Sequence, residues 1–162
     1  MRNRCVANLL VIAGLVCWPA AAEKYHGPRP PKPDIPYLQH ADNLLETEIL
    51  EAKQIERKNE SVYVLAGATS PVGSPLAEPI FLFASEKIPP EKLALFRLDV
   101  KDGSREIAFS QKKKKDSSRP LRLSVNRIEE NLYRIEANEY LDDGEYCLSP
   151  DGTNQVFCFK VY

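Results

Sequence analysis

Cys147 and Cys158 carry the clearest chemical signal in the chain, flanking the turn residues Asp151-Gly152-Thr153-Asn154. Two such thiols either pair as a disulfide or offer thiolates to a metal or a substrate. Thiolate chemistry needs an activating or co-ligating neighbour, most often His. The chain has two histidines, His26 and His40, both far upstream near a proline-rich stretch. Nucleophilic triads and zinc sites therefore lack their parts. Asp142, Asp143 and Asp151 are of the type that binds calcium, but Asp is also favoured in turns for its local hydrogen bonds. Glu129-Glu130 is a carboxylate pair of the kind used in glycoside hydrolysis, set in an apparent turn. No Gly-rich phosphate loop of the Walker type occurs. Lys112–Lys115 reads as a solvated loop, since like charges repel away from packing. No catalytic residue, metal or cofactor is assigned on these grounds.

The N-terminus supplies the compartment that decides what the cysteines do. Arg2 and Arg4 precede an apolar run from Val6 to Val16, and Ala20-Ala21-Ala22 offers a cleavage site before Glu23. That order is the pattern of a secretory signal peptide over residues 1–22. The run is shorter than the roughly 20 residues a spanning helix needs and ends at Pro19. Cleavage removes Cys5 and Cys17 and leaves Cys147 and Cys158, an even pair in an oxidising setting. A disulfide between them is the expected outcome. Loss of Arg2 and Arg4 takes the formal charge from −1 to −3. Such a balance gives no drive toward nucleic acid or anionic lipid.

The elements that must position the cysteines are strands. Side chains along a strand alternate faces. Tyr146 and Leu148 share one face with Phe157 and Phe159, and Cys147 and Cys158 share the other. A two-residue turn at Gly152-Thr153 sets Cys147 opposite Cys158, Tyr146 opposite Phe159 and Leu148 opposite Phe157. In that register the cysteines fall at a hydrogen-bonded pair, where the Cα atoms are farther apart. Tyr146, Leu148, Phe157 and Phe159 form the core face, and the sulfurs lie on the outer one.

Upstream, residues 23–41 read as a proline-rich linker in extended polyproline conformation. In residues 42–58, Leu45, Ile49, Ala52 and Ile55 recur at helical spacing, which predicts a short helix; an edge strand from Thr47 to Ile55 is the rival reading. Asn59-Glu60-Ser61 matches a glycosylation sequon. Beyond Ser61 the period changes to two. Val62–Leu65, Ile80–Phe83, Leu93–Val100, Arg105–Ser110, Leu121–Val125 and Leu132–Glu136 are short strands separated by turn signals. Within Leu93–Val100, the set Ala94, Phe96, Leu98 and Val100 is the expected core face.

Asp142-Asp143-Gly144-Glu145-Tyr146 resembles the immunoglobulin-like signature Asp-x-Gly-x-Tyr. In that family the Tyr bonds back to upstream backbone as a tyrosine corner, which implies that role for Tyr146. The family's cysteine lies two residues after the Tyr, a place taken here by Leu148, and the inter-sheet bridge is absent. Asp34-Ile-Pro-Tyr-Leu, His40-Ala-Asp-Asn-Leu, Pro75-Leu-Ala-Glu-Pro-Ile-Phe-Leu-Phe and Gly144-Glu-Tyr-Cys-Leu-Ser-Pro are similar to uncharacterised secreted proteins of soil bacteria, acidobacteria especially. That resemblance implies a periplasmic or secreted location and brings no known activity.

The expected architecture is mainly β: a signal peptide, the linker to residue 41, then one antiparallel immunoglobulin-like β-sandwich over residues 42–162. The expected function is a non-catalytic, exported binding or envelope-structural role. Its partner would be a protein or glycan of the cell envelope, with no nucleic acid and no membrane span after cleavage. The alternative is a carboxylate-dependent hydrolase acting on glycans, which needs two carboxyls about 5–10 Å apart in a cleft.

Overall fold

The computed structural model describes residues 24–58, 60–110 and 118–162. The expected signal peptide, Asn59 of the sequon and Lys112–Lys115 lie outside these residues. Among the described residues thirteen strands run in order: β1 (Pro36–His40), β2 (Asn43–Glu46), β3 (Glu48–Glu51), β4 (Lys53–Arg57), β5 (Glu60–Ala66), β6 (Gly73–Ser74) and β7 (Ile80–Ala84). The 3-10 turn Pro90–Lys92 leads into β8 (Leu93–Lys101). Then come β9 (Ser104–Ser110), β10 (Leu123–Glu129), β11 (Leu132–Ala137), β12 (Gly144–Pro150) and β13 (Gln155–Val161).

The strands form two sheets, mainly antiparallel. One has five strands in the order β10-β11-β7-β1-β2. The other has eight, running β3-β13-β12-β8-β9-β5-β4, with β6 parallel to β13. The five-stranded sheet packs on the β13-β12-β8 wall. Leu38, Phe81, Phe83 and Ile135 come from one side and Leu95, Leu148, Phe157 and Phe159 from the other. Phe81 and Phe159 meet edge to face across the layer, with ring centroids 4.9 Å apart. This is a sandwich core in which inward residues of both sheets interdigitate.

The eight-stranded sheet does not stay flat. Its two ends, β3 and β4, are consecutive in the chain and joined through Ala52. Residues 48–51 pair with β13, and residues 53–57 pair with β5. The sheet therefore rolls up until its first and last strands are one bent segment. The bend at Ala52 joins the two ends through the chain, while among the described residues β3 keeps β13 and β4 keeps β5 as its one paired neighbour. Strand β8 also divides its pairing: Leu93–Leu98 bonds to β12, and β9 is met only from Asp99 to Lys101. The first half of β8 does not meet β9; on that side Leu95 bridges Leu121 instead, whose N–H donates to the Leu95 carbonyl at 2.8 Å.

Three expectations change. Residues 42–58 are β2, β3 and β4, not a helix. Of the four apolar residues at helical spacing, Leu45, Ile49 and Ile55 are more than a third exposed and only Ala52 is buried, so no helical face is covered. The proline-rich stretch is not a linker as far as residue 41. Pro36–His40 lies between β7 and β2 with Tyr37 and Leu38 buried. Pro36 is tolerated as the first residue of its strand, where its missing donor matters least. Asp34 fastens the approach by accepting from the backbone N–H groups of Glu86, Lys87 and Ile88 at 2.9–3.1 Å. The roll also gives β8 two core faces. Leu93 and Leu95 enter the sandwich core, Phe96 and Leu98 pack inside the roll, and Val100 is half exposed.

Candidate binding cleft

The terminal hairpin has the expected register, with Cys147 opposite Cys158, Tyr146 opposite Phe159 and Leu148 opposite Phe157. Four residues, 151–154, connect the strands, and Gly152 takes a positive φ of 77°. The two cysteines are bonded as a disulfide, with their Cα atoms 4.1 Å apart. That spacing belongs to the closely spaced class of antiparallel pair, not the wider one that a two-residue turn sets. The sulfurs do not lie on an outer surface. Rolling of the sheet turns that face inward, and both cysteines are buried in a second apolar cluster with Leu65, Leu98, Ile107 and Val156.

A cleft of about 810 Å³ enters this second cluster from one end. Its walls carry Tyr63 from β5, Phe96 from β8 and Phe109 from β9. Phe109 meets both other rings edge to face, at centroid distances of 5.7 Å to Tyr63 and 5.5 Å to Phe96. Leu98, Ile107 and Cys147 form the floor, and the 151–154 turn lies at the rim. Two hydroxyls line the cleft without a hydrogen bond to any described residue, those of Tyr63 and Ser149. Among the described residues, the charged ones that line it, Glu91, Lys92 and Asp151, are all exposed. A concave apolar site with few polar groups, between about 300 and 1,000 Å³, is the usual form of a small-molecule pocket.

The opposite end of the roll is plugged. Arg105 is fully buried and forks onto Glu48, with Nη1 to Oε2 at 2.8 Å and Nη2 to Oε1 at 3.2 Å. Nη1 also donates to Glu145 at 3.5 Å, Nη2 to the Ala66 carbonyl at 3.0 Å and Nε to the Gly67 carbonyl at 2.9 Å. All five guanidinium donors thereby find acceptors. Gly67 has a φ of 83°, a conformation that glycine adopts without steric cost. Glu145 in turn accepts from the Thr69 hydroxyl at 2.7 Å and the Ser70 N–H at 2.9 Å. A buried charge needs such complete pairing to be tolerated. One signal in the sequence pointed to this plug: Arg105 alternates with Ile107 and Phe109 and so shares their inward face.

The other candidate residues are scattered. Asp142 and Asp143 stand at the start of β12 and Asp151 beyond its end, so they do not converge. Arg97 ties that start down, donating to Asp142 at 3.3 Å and to the Asp143 carbonyl at 3.0 Å. No cluster of three or more metal-ligating side chains occurs among the described residues. Glu129 is held by Arg29 at 2.6 Å and by the Tyr25 N–H at 2.7 Å, which keep its carboxyl below the usual range. Glu130 is exposed in the turn. His26 is exposed, and His40 lines a separate depression with Lys160 and Tyr162, where its Nε2 is buried without a partner. Among the described residues no helix is long and apolar enough to cross a membrane. No family model, curated protein or solved structure matches the chain.

Proposed function

We propose that the chain is an exported, non-catalytic binding protein whose ligand enters the cleft inside the rolled sheet. The observation that carries this reading is the form of the cleft: apolar and ring-lined, open at one end and blocked at the other by the Arg105 plug. Its two unpaired hydroxyls are of the kind that orient a ligand. Export is supported by the Arg–apolar–Ala order of residues 1–22 and by the disulfide, a bond that persists in oxidising compartments. The envelope of a bacterial cell is the setting this favours. The hydrolase alternative has less support, because the carboxyls that line the cleft among the described residues, Glu91 and Asp151, are both exposed and neither makes a side-chain hydrogen bond.

An immunoglobulin-like frame is part of the same proposal. Tyr146 donates from its hydroxyl to the Asp142 carbonyl at 2.7 Å, which is the contact of a tyrosine corner. The order β10-β11-β7-β1 parallels D-E-B-A of that family, and β8-β12-β13 parallels C-F-G. On this reading β2–β6 form an insertion between the first two family strands, and that insertion rolls the second sheet and creates the cleft.

Native mass spectrometry of the protein recovered from an exporting host tests the proposal. The expected spectrum shows a chain beginning at Glu23 with a noncovalent small-molecule adduct, and the adduct is lost in Ala94→Trp, which fills the cleft. A chain retaining Met1, or an adduct indifferent to Ala94→Trp, counts against it.

A further inference from the structure

We infer that the cleft takes a small neutral molecule with a flat ring body and one hydroxyl or carbonyl group. This rests on the binding reading above and adds the class of ligand. The argument begins with shape. The Arg105 plug closes the far end, so an extended peptide or a long chain cannot thread through the roll. A ligand must be short enough to be held between the disulfide floor and the 151–154 rim.

Charge narrows the class further. Among the described residues, every charged group that lines the cleft is exposed, and none offers its interior a cation for an acid or an anion for an amine. Burying an unpaired charge there is strongly unfavourable. Sugars fail for a related reason. A glycan carries several hydroxyls, and a buried one without a partner costs most of its desolvation energy. Of the four hydroxyl residues in the lining, Ser61 donates to Glu56 and Thr153 accepts from the Gln155 N–H, which leaves Tyr63 and Ser149. Those two groups can serve one polar function on an otherwise apolar body. The edge-to-face run Tyr63–Phe109–Phe96 then presents ring edges and faces to a flat aromatic or alicyclic partner.

The test is a titration of the full chain with 1-naphthol, followed by its intrinsic fluorescence. The expected result is saturable one-to-one binding with a Kd on the order of 100 µM for a ligand of this size. Tyr63→Phe, which removes only a hydroxyl, should weaken it roughly five- to tenfold, and Ala94→Trp should abolish it. Under the same conditions 1-naphthalenesulfonate, dodecanoate and maltotriose should not bind. Failure of 1-naphthol, with dodecanoate or maltotriose binding in a manner lost in Ala94→Trp, overturns the ligand class and leaves the binding reading standing. Binding of 1-naphthol that survives Ala94→Trp unchanged overturns the assignment of the site. If none of the four compounds binds, both the ligand class and the binding reading fall.

Discussion

Cys147 faces Cys158 across β12 and β13 with 4.1 Å between their Cα atoms, and their disulfide is part of the interior wall of a rolled sheet. The opposite face of the same two strands supplies Tyr146, Leu148, Phe157 and Phe159 to the sandwich core. One hairpin thus divides two hydrophobic cores. The bridge closes a short loop and should contribute at most about 3 kcal/mol through the unfolded state. Phe157→Ala should remove about 3–5 kcal/mol. Urea denaturation should therefore rank Phe157→Ala as more damaging than Cys147→Ala with Cys158→Ala. Thiol titration of the unfolded, unreduced protein should find neither cysteine free.

The Arg105 plug makes a second expectation. Arg105→Met keeps much of the side-chain volume but leaves Glu145 buried and Glu48 mostly buried without their cation. Breaking a buried pair from one side typically costs about 3–5 kcal/mol. The urea midpoint should fall accordingly, and restoring neutrality with Glu48→Gln in the same chain should recover part of the loss.

The acid limb of stability should depend on Glu106. Its hydrogen bond from Lys101 at 2.7 Å, with Arg57 at 3.0 Å beyond it, holds the carboxyl below its usual 4.5 against the opposing effect of burial. A carboxyl depressed in the folded state stabilises the fold above its unfolded pKa, and that stability is lost as pH falls through the folded value. Thermal melts should therefore decline as pH drops below about 4.5. Glu106→Gln should flatten that decline while lowering the melting temperature at pH 7.

Tyr146→Phe tests the corner at the head of β12. The hydroxyl donates to the Asp142 carbonyl at 2.7 Å, and removal leaves that carbonyl without this donor while the ring still stacks on Phe159. The expected cost is about 1 kcal/mol by urea denaturation. A neutral result would mean that the corner does not hold the strand entry.

The sequence made much of this frame legible. The terminal hairpin could be read to the residue, because strict alternation and a Gly-containing turn leave few registers open. The apolar run Ile80–Phe83 is equally plain. The inside of the roll is not. Alternation says that two faces differ, but not that both are covered, so by itself it leaves the cysteine face toward solvent. For the same reason alternation offers only one core face for β8, that of Ala94, Phe96, Leu98 and Val100, and leaves out Leu93 and Leu95. Residues 48–57 misled more directly. A strand that changes partners at Ala52 exposes Ile49 and Ile55 on either side of the bend, and those partly covered residues fell by coincidence at helical spacing. The cleft depends on that bend, and nothing local to Ala52 announces it.

The central claim is that the interior of the rolled sheet receives a ligand, and NMR of side-chain resonances tests it most directly. On saturation with 1-naphthol, signals of Tyr63, Phe96, Leu98, Ile107 and Phe109 should shift, while those of Leu38, Phe81 and Ile135 in the sandwich core stay fixed. Shifts spread over the outer surface, or none inside the roll, would contradict the account.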